Sequence, residues 1–386
     1  MESTTDFAVK TGFKVPVAAL SLYAIASAYL MTLIPLLLGE YGIDANNASW
    51  LASVFFAGLF VGTSAIKPVV KFIGHRMAFI VCLSLFIATI VVLPLAPVAW
   101  VWFIARFVGG IAVAGLFVVV ESWLLAGDEA SRAKRFGLYM CSITGGVALG
   151  QLGIGFVGIQ GLIPFVVILS LLSAALVVMM FIPTQPPQSH NSATLSFRQI
   201  SKLSHAAIIG CTVAGLIQSA IYGLMPLELT HRDVSQTHLS LLMALIIVGG
   251  MLVQAVIPLL IRVVGRTPLM GMFCLLGVFA IGLVILNSHH NVLAISLLLI
   301  GMASYALYPI AINLGCDKLD KSLIVSASQI MLFCYSLGSV IGPVIAGWFM
   351  ESTQGLMTYL LAIMMATAIY MFIASIRTNK HAIAGE

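Results

Sequence analysis

Arg106 is the residue of this chain with the most chemistry to explain. It stands inside an apolar run, Trp102-Phe-Ile-Ala-Arg106-Phe-Val-Gly109-Gly110, that continues as far as Glu121. A guanidinium inside hydrocarbon costs at least ~2.5–3.5 kcal/mol on insertion scales, so it has to face an interior and find partners there. The plain alternative is an Arg that snorkels to the interface or bonds backbone carbonyls. Glu121 follows fifteen residues later, roughly 22 Å along a helix at ~1.5 Å per residue, so the two cannot pair. Around them lie uncharged polar side chains in otherwise apolar runs: Tyr23, Ser27, Thr32, Gln151, Gln218, Tyr222, Gln254, Tyr305 and Tyr308. Gln218 and Tyr222 are spaced i, i+4, and Tyr305 and Tyr308 i, i+3, so each pair shares one helix face. Such groups contact a solute or make hydrogen bonds between helices. There is no metal-spaced His/Glu set, no Ser/Lys or paired-Asp constellation and no phosphate-binding Gly-rich loop. The expectation is therefore no enzyme, no metal and no cofactor.

The elements that position these residues are set by composition. The 386 residues are 61% apolar and 8% charged, with a mean hydropathy of +1.12, far from the roughly 45–50% apolar and about 25% charged of globular chains. Runs of 18 or more apolar residues read as membrane-crossing helices, and the alternating ten-residue pattern of a barrel does not dominate. Twelve such segments are expected, near 14–38, 49–70, 77–97, 100–124, 136–158, 163–182, 205–227, 239–261, 268–287, 292–315, 324–348 and 356–376. The first follows Met-Glu-Ser-Thr-Thr-Asp, which is no basic leader, and is expected to be a retained helix. Six cysteines fall in or at the ends of apolar segments, in no zinc or disulfide pattern, and read as buried small apolar residues.

Charge gives the orientation. Sixteen of the eighteen Lys and Arg fall on one face of the twelve-segment arrangement, leaving Arg232 on the other and Arg106 inside. That bias places both termini in the cytoplasm and makes the +5 net charge a topology signal, with no nucleic-acid partner. The stretch 183–203, rich in Pro and Ser, reads as a linker between an N-terminal half, 1–182, and a C-terminal half, 204–386. Two short basic turns, Lys71-Phe-Ile-Gly74-His75-Arg76 and Arg262-Val-Val-Gly265-Arg266, recur about 190 residues apart. Parallel repetition of six-helix halves is an architecture of secondary transporters.

With these features the chain resembles the major facilitator superfamily. The first turn, Lys67-Pro-Val-Val-Lys71-Phe-Ile-Gly74-His75-Arg76, is similar to that family's loop signature G-x-x-x-D-R-x-G-R-R, with Lys67 and Lys71 replacing its first Gly and Asp. Arg106-Phe-Val-Gly109-Gly110-Ile-Ala-Val-Ala-Gly115 is similar to its R-x-x-x-G-x-G pattern, with the second Gly shifted. Gly338-Ser-Val-Ile-Gly342-Pro343 resembles the G-x-x-x-G-P pattern of drug/proton antiporters, and the fifth segment has Gly150-Gln151 instead. Val118-Val119-Val120-Glu121-Ser122, Gly150-Gln151, and Tyr308-Pro309 with Asp317 resemble the poorly characterised YcaD-type branch. The resemblance implies twelve transmembrane helices in two pseudo-symmetric halves, with segments 1, 4, 7 and 10 lining a cavity. It also implies that Arg106 serves proton coupling or an anionic substrate. Arg106, Gln218, Tyr222, Tyr305, Tyr308, Tyr23 and Gln151 are then the candidate binding or coupling residues.

Glu121 and Asp317 lie beside the basic turns and read as acids of a cytoplasmic gate with Lys71, Arg76, Arg132, Arg262 and Arg266; the alternative makes Glu121 a proton carrier. Gly110, Gly150 and Gly342 are packing positions, and Gly342-Pro343 is a candidate hinge. Glu228 is expected to be a solvated helix end, with a periplasmic proton entry as the alternative, and Trp100, Trp102 and Trp348 to form an interfacial belt. The function expected is secondary active transport, by alternating access, of a small amphipathic or anionic organic solute. Protons are the candidate coupling ion, export is preferred, and the protein is a monomer in a bacterial cytoplasmic (inner) membrane. Import, or a non-transporting sensor or scaffold on the same fold, are the alternatives.

Overall fold

The computed structural model describes residues 14–125, 129–182, 204–287, 289–316, 324–352 and 354–383, with no strand among them. The helices are α1 Lys14–Leu37, α2 Asn47–Ile73, α3 His75–Leu95, α4 Ala99–Leu125, α5 Glu129–Gln151, α6 Ile163–Phe181, α7 His205–His231, α8 Gln236–Val264, α9 Arg266–Leu286, α10 His290–Cys316, α11 Ile324–Phe349 and α12 Gly355–Ile383. A short helix, Gly153–Val157, continues α5 beyond a break at Leu152. All twelve contain a stretch long and apolar enough to cross a membrane. Two compact units result, Met1–His190 with Val234–Leu241, and Asn191–Asp233 with Leu242–Glu386. The expected linker 183–203 lies outside the described residues.

Internal repetition is visible in the backbone. Helix starts recur at one interval, Lys14 and His205, His75 and Arg266, Ala99 and His290 each standing 191 residues apart. Gly74, between α2 and α3, has φ 79° and ψ 160°; Gly265, between α8 and α9, has φ 80° and ψ 161°. That region is essentially closed to residues with a Cβ, so both turns need glycine at this position.

The helix crossings repeat as well. In the first unit Gly58 of α2 lies against the carbonyl of Phe107, and Gly110 of α4 against that of Phe55. In the second, Gly249 lies against Leu298 and Gly301 against Ile246, every residue displaced by the same 191 positions. A second seam joins α1 to α5, with Gly146 and Gly150 on the carbonyls of Ser21 and Ile25. It recurs between α7 and α11, with Gly338 and Gly342 on Thr212 and Leu216. A Cβ at Gly58, Gly110, Gly249, Gly301, Gly150 or Gly342 would overlap backbone, so these helices pack at the closest separation their main chains allow.

Two expectations are corrected. Trp102 is fully buried, donates from Nε1 to Leu93 O at 2.9 Å and packs its ring 5.6 Å from Tyr41, so it is a core residue. Trp100 and Trp348 remain exposed. Glu228 is only 3% exposed. Its Oε1 pairs with Arg232 Nε at 2.7 Å, and its Oε2 accepts from Leu356 N at 2.9 Å. The first turn of α12 offers backbone N–H groups without helical partners, and these attract a carboxylate out of solvent. Arg232 also donates to Gln354 Oε1 at 3.2 Å, completing a clamp between the end of α7 and the start of α12.

Candidate functional site

Arg106 sits seven residues into α4 and is 5% exposed. Its guanidinium carbon lies 4.1 Å from the Phe55 ring centroid. Nη2 meets Met31 Sδ at 2.9 Å, and Nε reaches Leu51 O at 3.5 Å, the limit of a hydrogen bond. No ion pair to Arg106 exists among the described residues. The cation is thus surrounded by a ring face, a thioether and one distant carbonyl. Among the described residues, the Asp and Glu within the membrane-crossing stretches are Glu121 and Glu228, and both lie within a turn of an end. Among the described residues, Arg106 is the one Lys, Arg, Asp or Glu deeper than that. Tyr23 stands nearby, its ring 5.5 Å from Phe86 and 6.1 Å from Phe117, its hydroxyl accepting from Ser27 Oγ at 3.1 Å.

Gln151, expected to contact solute, is fully buried. Its Oε1 accepts from Thr32 Oγ1 at 2.5 Å, and its Nε2 has no hydrogen-bond partner among the described residues. It ends α5 at the break, whereas the second unit has Pro343 beside the matching glycine and α11 runs through that proline unbroken.

The second unit assembles the other four candidates. Tyr222 and Tyr305 join hydroxyl to hydroxyl. Gln218 Nε2 donates to Ser304 O at 3.2 Å, and Gln218 Oε1 accepts from the Tyr335 hydroxyl at 2.9 Å. The Tyr308 ring lies 4.8 Å from that of Tyr335. Gln254 Nε2 donates to Tyr305 O at 3.2 Å. Tyr335 is the member sequence reasoning missed. Its signal was present, because it shares a helical face with Gly338, Ser339 and Gly342 at i+3, i+4 and i+7.

Arg76 caps α6, donating from Nε to Met179 O at 3.0 Å and from Nη2 to Met180 O at 2.8 Å. A cation on the last carbonyls of a helix is favourable on both hydrogen-bond and dipole grounds. Lys71, Arg262 and Glu121 are exposed, Arg266 half-buried, and no described ion pair links Glu121 to Lys71 or Arg76. The His75 ring packs 5.8 Å from Trp123, tying the first basic turn to the end of α4. Asp317 and the Arg132 side chain lie outside the described residues.

Comparison with known proteins agrees with this architecture. The family model described as Major Facilitator Superfamily matches residues 17–343 and 207–385. Uncharacterized MFS-type transporter YcaD of Escherichia coli O45:K1 (strain S88 / ExPEC) is 29% identical over 365 residues, covering 94% of each chain. The protein of the same name from Escherichia coli O6:K15:H31 (strain 536 / UPEC) is 30% identical over 367 residues, again 94% of each. Among solved structures, nucleoside transporter NupG superposes with a TM-score of 0.72 at 15% identity, covering 93% of this chain and 96% of that one. A bacterial homolog of the human lysosomal transporter Spinster, inward-facing and occupied, gives 0.74 at 14%, covering 94% and 96%. At those identities the two structures speak for the fold alone. By sequence, repetition and fold, this chain belongs to the major facilitator superfamily.

Proposed function

We propose that the protein is a secondary active transporter that moves a small amphipathic or anionic organic solute by alternating access between two six-helix halves, 1–182 and 204–386. The observation that carries this reading is Arg106, a buried cation with no carboxylate partner among the described residues. Taking an ion out of water costs several kcal/mol unless an opposite charge offsets it, so a bound anion is the group that would relieve the site. The tyrosines and Gln218 add uncharged donors and acceptors. Both termini are assigned to the cytoplasm and the membrane to the bacterial inner membrane, on the distribution of Lys and Arg. The gate assigned to Lys71, Arg76, Glu121, Arg132, Arg262, Arg266 and Asp317 closes the cytoplasmic side. Pairs that break in every cycle suit exposed residues, each worth only about 0–1 kcal/mol. Protons are the candidate coupling ion, export the preferred direction, and the monomer the working form. The test is thermal stabilisation of the purified protein across a panel of small organic anions, repeated with Arg106→Ala. Stabilisation by one of the anions, lost in the variant, is expected. Equal stabilisation of both forms would remove Arg106 from the site.

A further inference from the structure

The Tyr222–Tyr305 contact closes a small cavity lined by Gln218, these two tyrosines and four aliphatic or thioether side chains of α7 and α8. No ionised side chain lines it. One hydroxyl donates to the other, which leaves the second hydroxyl proton without a partner in the pair. Gln218 Nε2 uses one N–H on Ser304 O and keeps another. The cavity therefore offers two donors next to an apolar wall.

The backbone of the same tyrosines supplies an acceptor. Tyr222 stands four residues before Pro226, and Tyr305 four before Pro309, each inside a helix. Proline has no N–H, so neither tyrosine carbonyl receives its i+4 helical bond. Gln254 covers the carbonyl of Tyr305, while no described side chain donates to that of Tyr222. Prolines at these positions also loosen both helices next to the bridge.

The repeat shows that the fold does not need the bridge. Tyr222 and Tyr305 correspond, 191 residues earlier, to Met31 and Ala114, neither of which carries a hydroxyl. The glycine crossings are present in both units, so packing was kept in duplicate while the hydroxyl pair is confined to one.

We propose that the Tyr222–Tyr305 bridge is a displaceable recognition site for an uncharged planar group of the solute bearing both a hydrogen-bond donor and an acceptor, such as an amide on a ring. The group enters by taking over the hydroxyl contact, its acceptor receiving a tyrosine or Gln218 proton and its donor facing the Tyr222 carbonyl. This rests on the transporter reading and adds a neutral subsite to it.

Benzamide is the probe, the smallest ring with both groups and no charge; benzoate is its anionic match. Benzamide at about ten times its half-saturating concentration should raise the melting temperature of the full-length protein by about 2–4 °C. Tyr222→Phe and Tyr305→Phe, each removing only a hydroxyl, should weaken benzamide about tenfold and erase most of that rise. Arg106→Ala should retain it. No benzamide effect on the wild type would overturn the proposal. So would Phe variants that melt lower without ligand yet keep the full benzamide response, the behaviour of a purely structural bridge. Two independent Phe variants guard against one that does not fold. A benzamide response without any Arg106-dependent benzoate response would strike the anion reading and leave this one standing.

Discussion

Replacing Arg106 with Met should make the empty protein more stable. Three contacts would be lost. The cation over the Phe55 ring at 4.1 Å contributes about 1–2 kcal/mol when desolvated. The 3.5 Å approach to Leu51 O is at the edge of hydrogen-bond geometry and contributes little. Met31 Sδ is a weak acceptor. Against these stands the burial of a full charge without a carboxylate, which costs several kcal/mol. Methionine fills a similar volume with an adaptable apolar chain. The balance favours Arg106→Met by about 1–2 kcal/mol, or a melting temperature higher by about 2–6 °C for a unit of this size. The assay is thermal unfolding of ligand-free protein, wild type and variant, in one detergent. A lower melting temperature for the variant would refute the reasoning, because the local contacts would then outweigh the desolvation.

Other outcomes follow from the same geometry. Gly110→Ala or Gly301→Ala drives a Cβ into the carbonyl of Phe55 or Ile246, and should cost about 1–3 kcal/mol or more. Gly137→Ala, with nothing near its Cβ, should be silent; folded yield and melting temperature distinguish them. Glu228→Ala strands Arg232 and the Leu356 N–H and should cost about 3–5 kcal/mol, whereas Glu121→Ala, exposed and without a described ion pair, should leave melting unchanged.

What could be read from sequence was what depends on composition and local pattern. The twelve helices, the basic turns and the isolation of Arg106 all follow from the sparseness of charge. The i, i+4 and i, i+3 spacings put Gln218 with Tyr222 and Tyr305 with Tyr308 on shared faces, because one helix face is a local property. Partners across helices were not legible. Nothing in the sequence near Glu228 says that the first turn of α12 packs against it, so a buried clamp was taken for a solvated end. Trp102 looked like a belt residue from its place near a segment end, but its depth depends on Tyr41 and Leu93 from elsewhere in the unit. Tyr335 escapes notice because the helix face it shares with Gly338 and Gly342 reads as packing and hinge. The hydrogen bonds of Arg76 to the end of α6 were likewise not legible from its place in a basic turn.

The central claim is transport dependent on Arg106, and flux tests it most directly. The organic anion that raises the melting temperature most would be followed, as a labelled solute, into proteoliposomes carrying wild-type or Arg106→Ala protein, with and without an imposed pH gradient. Saturable flux that the variant loses is the predicted result, with an initial rate that changes with the gradient if protons are coupled. Flux no greater than in protein-free liposomes, or undiminished in the variant, would contradict the account.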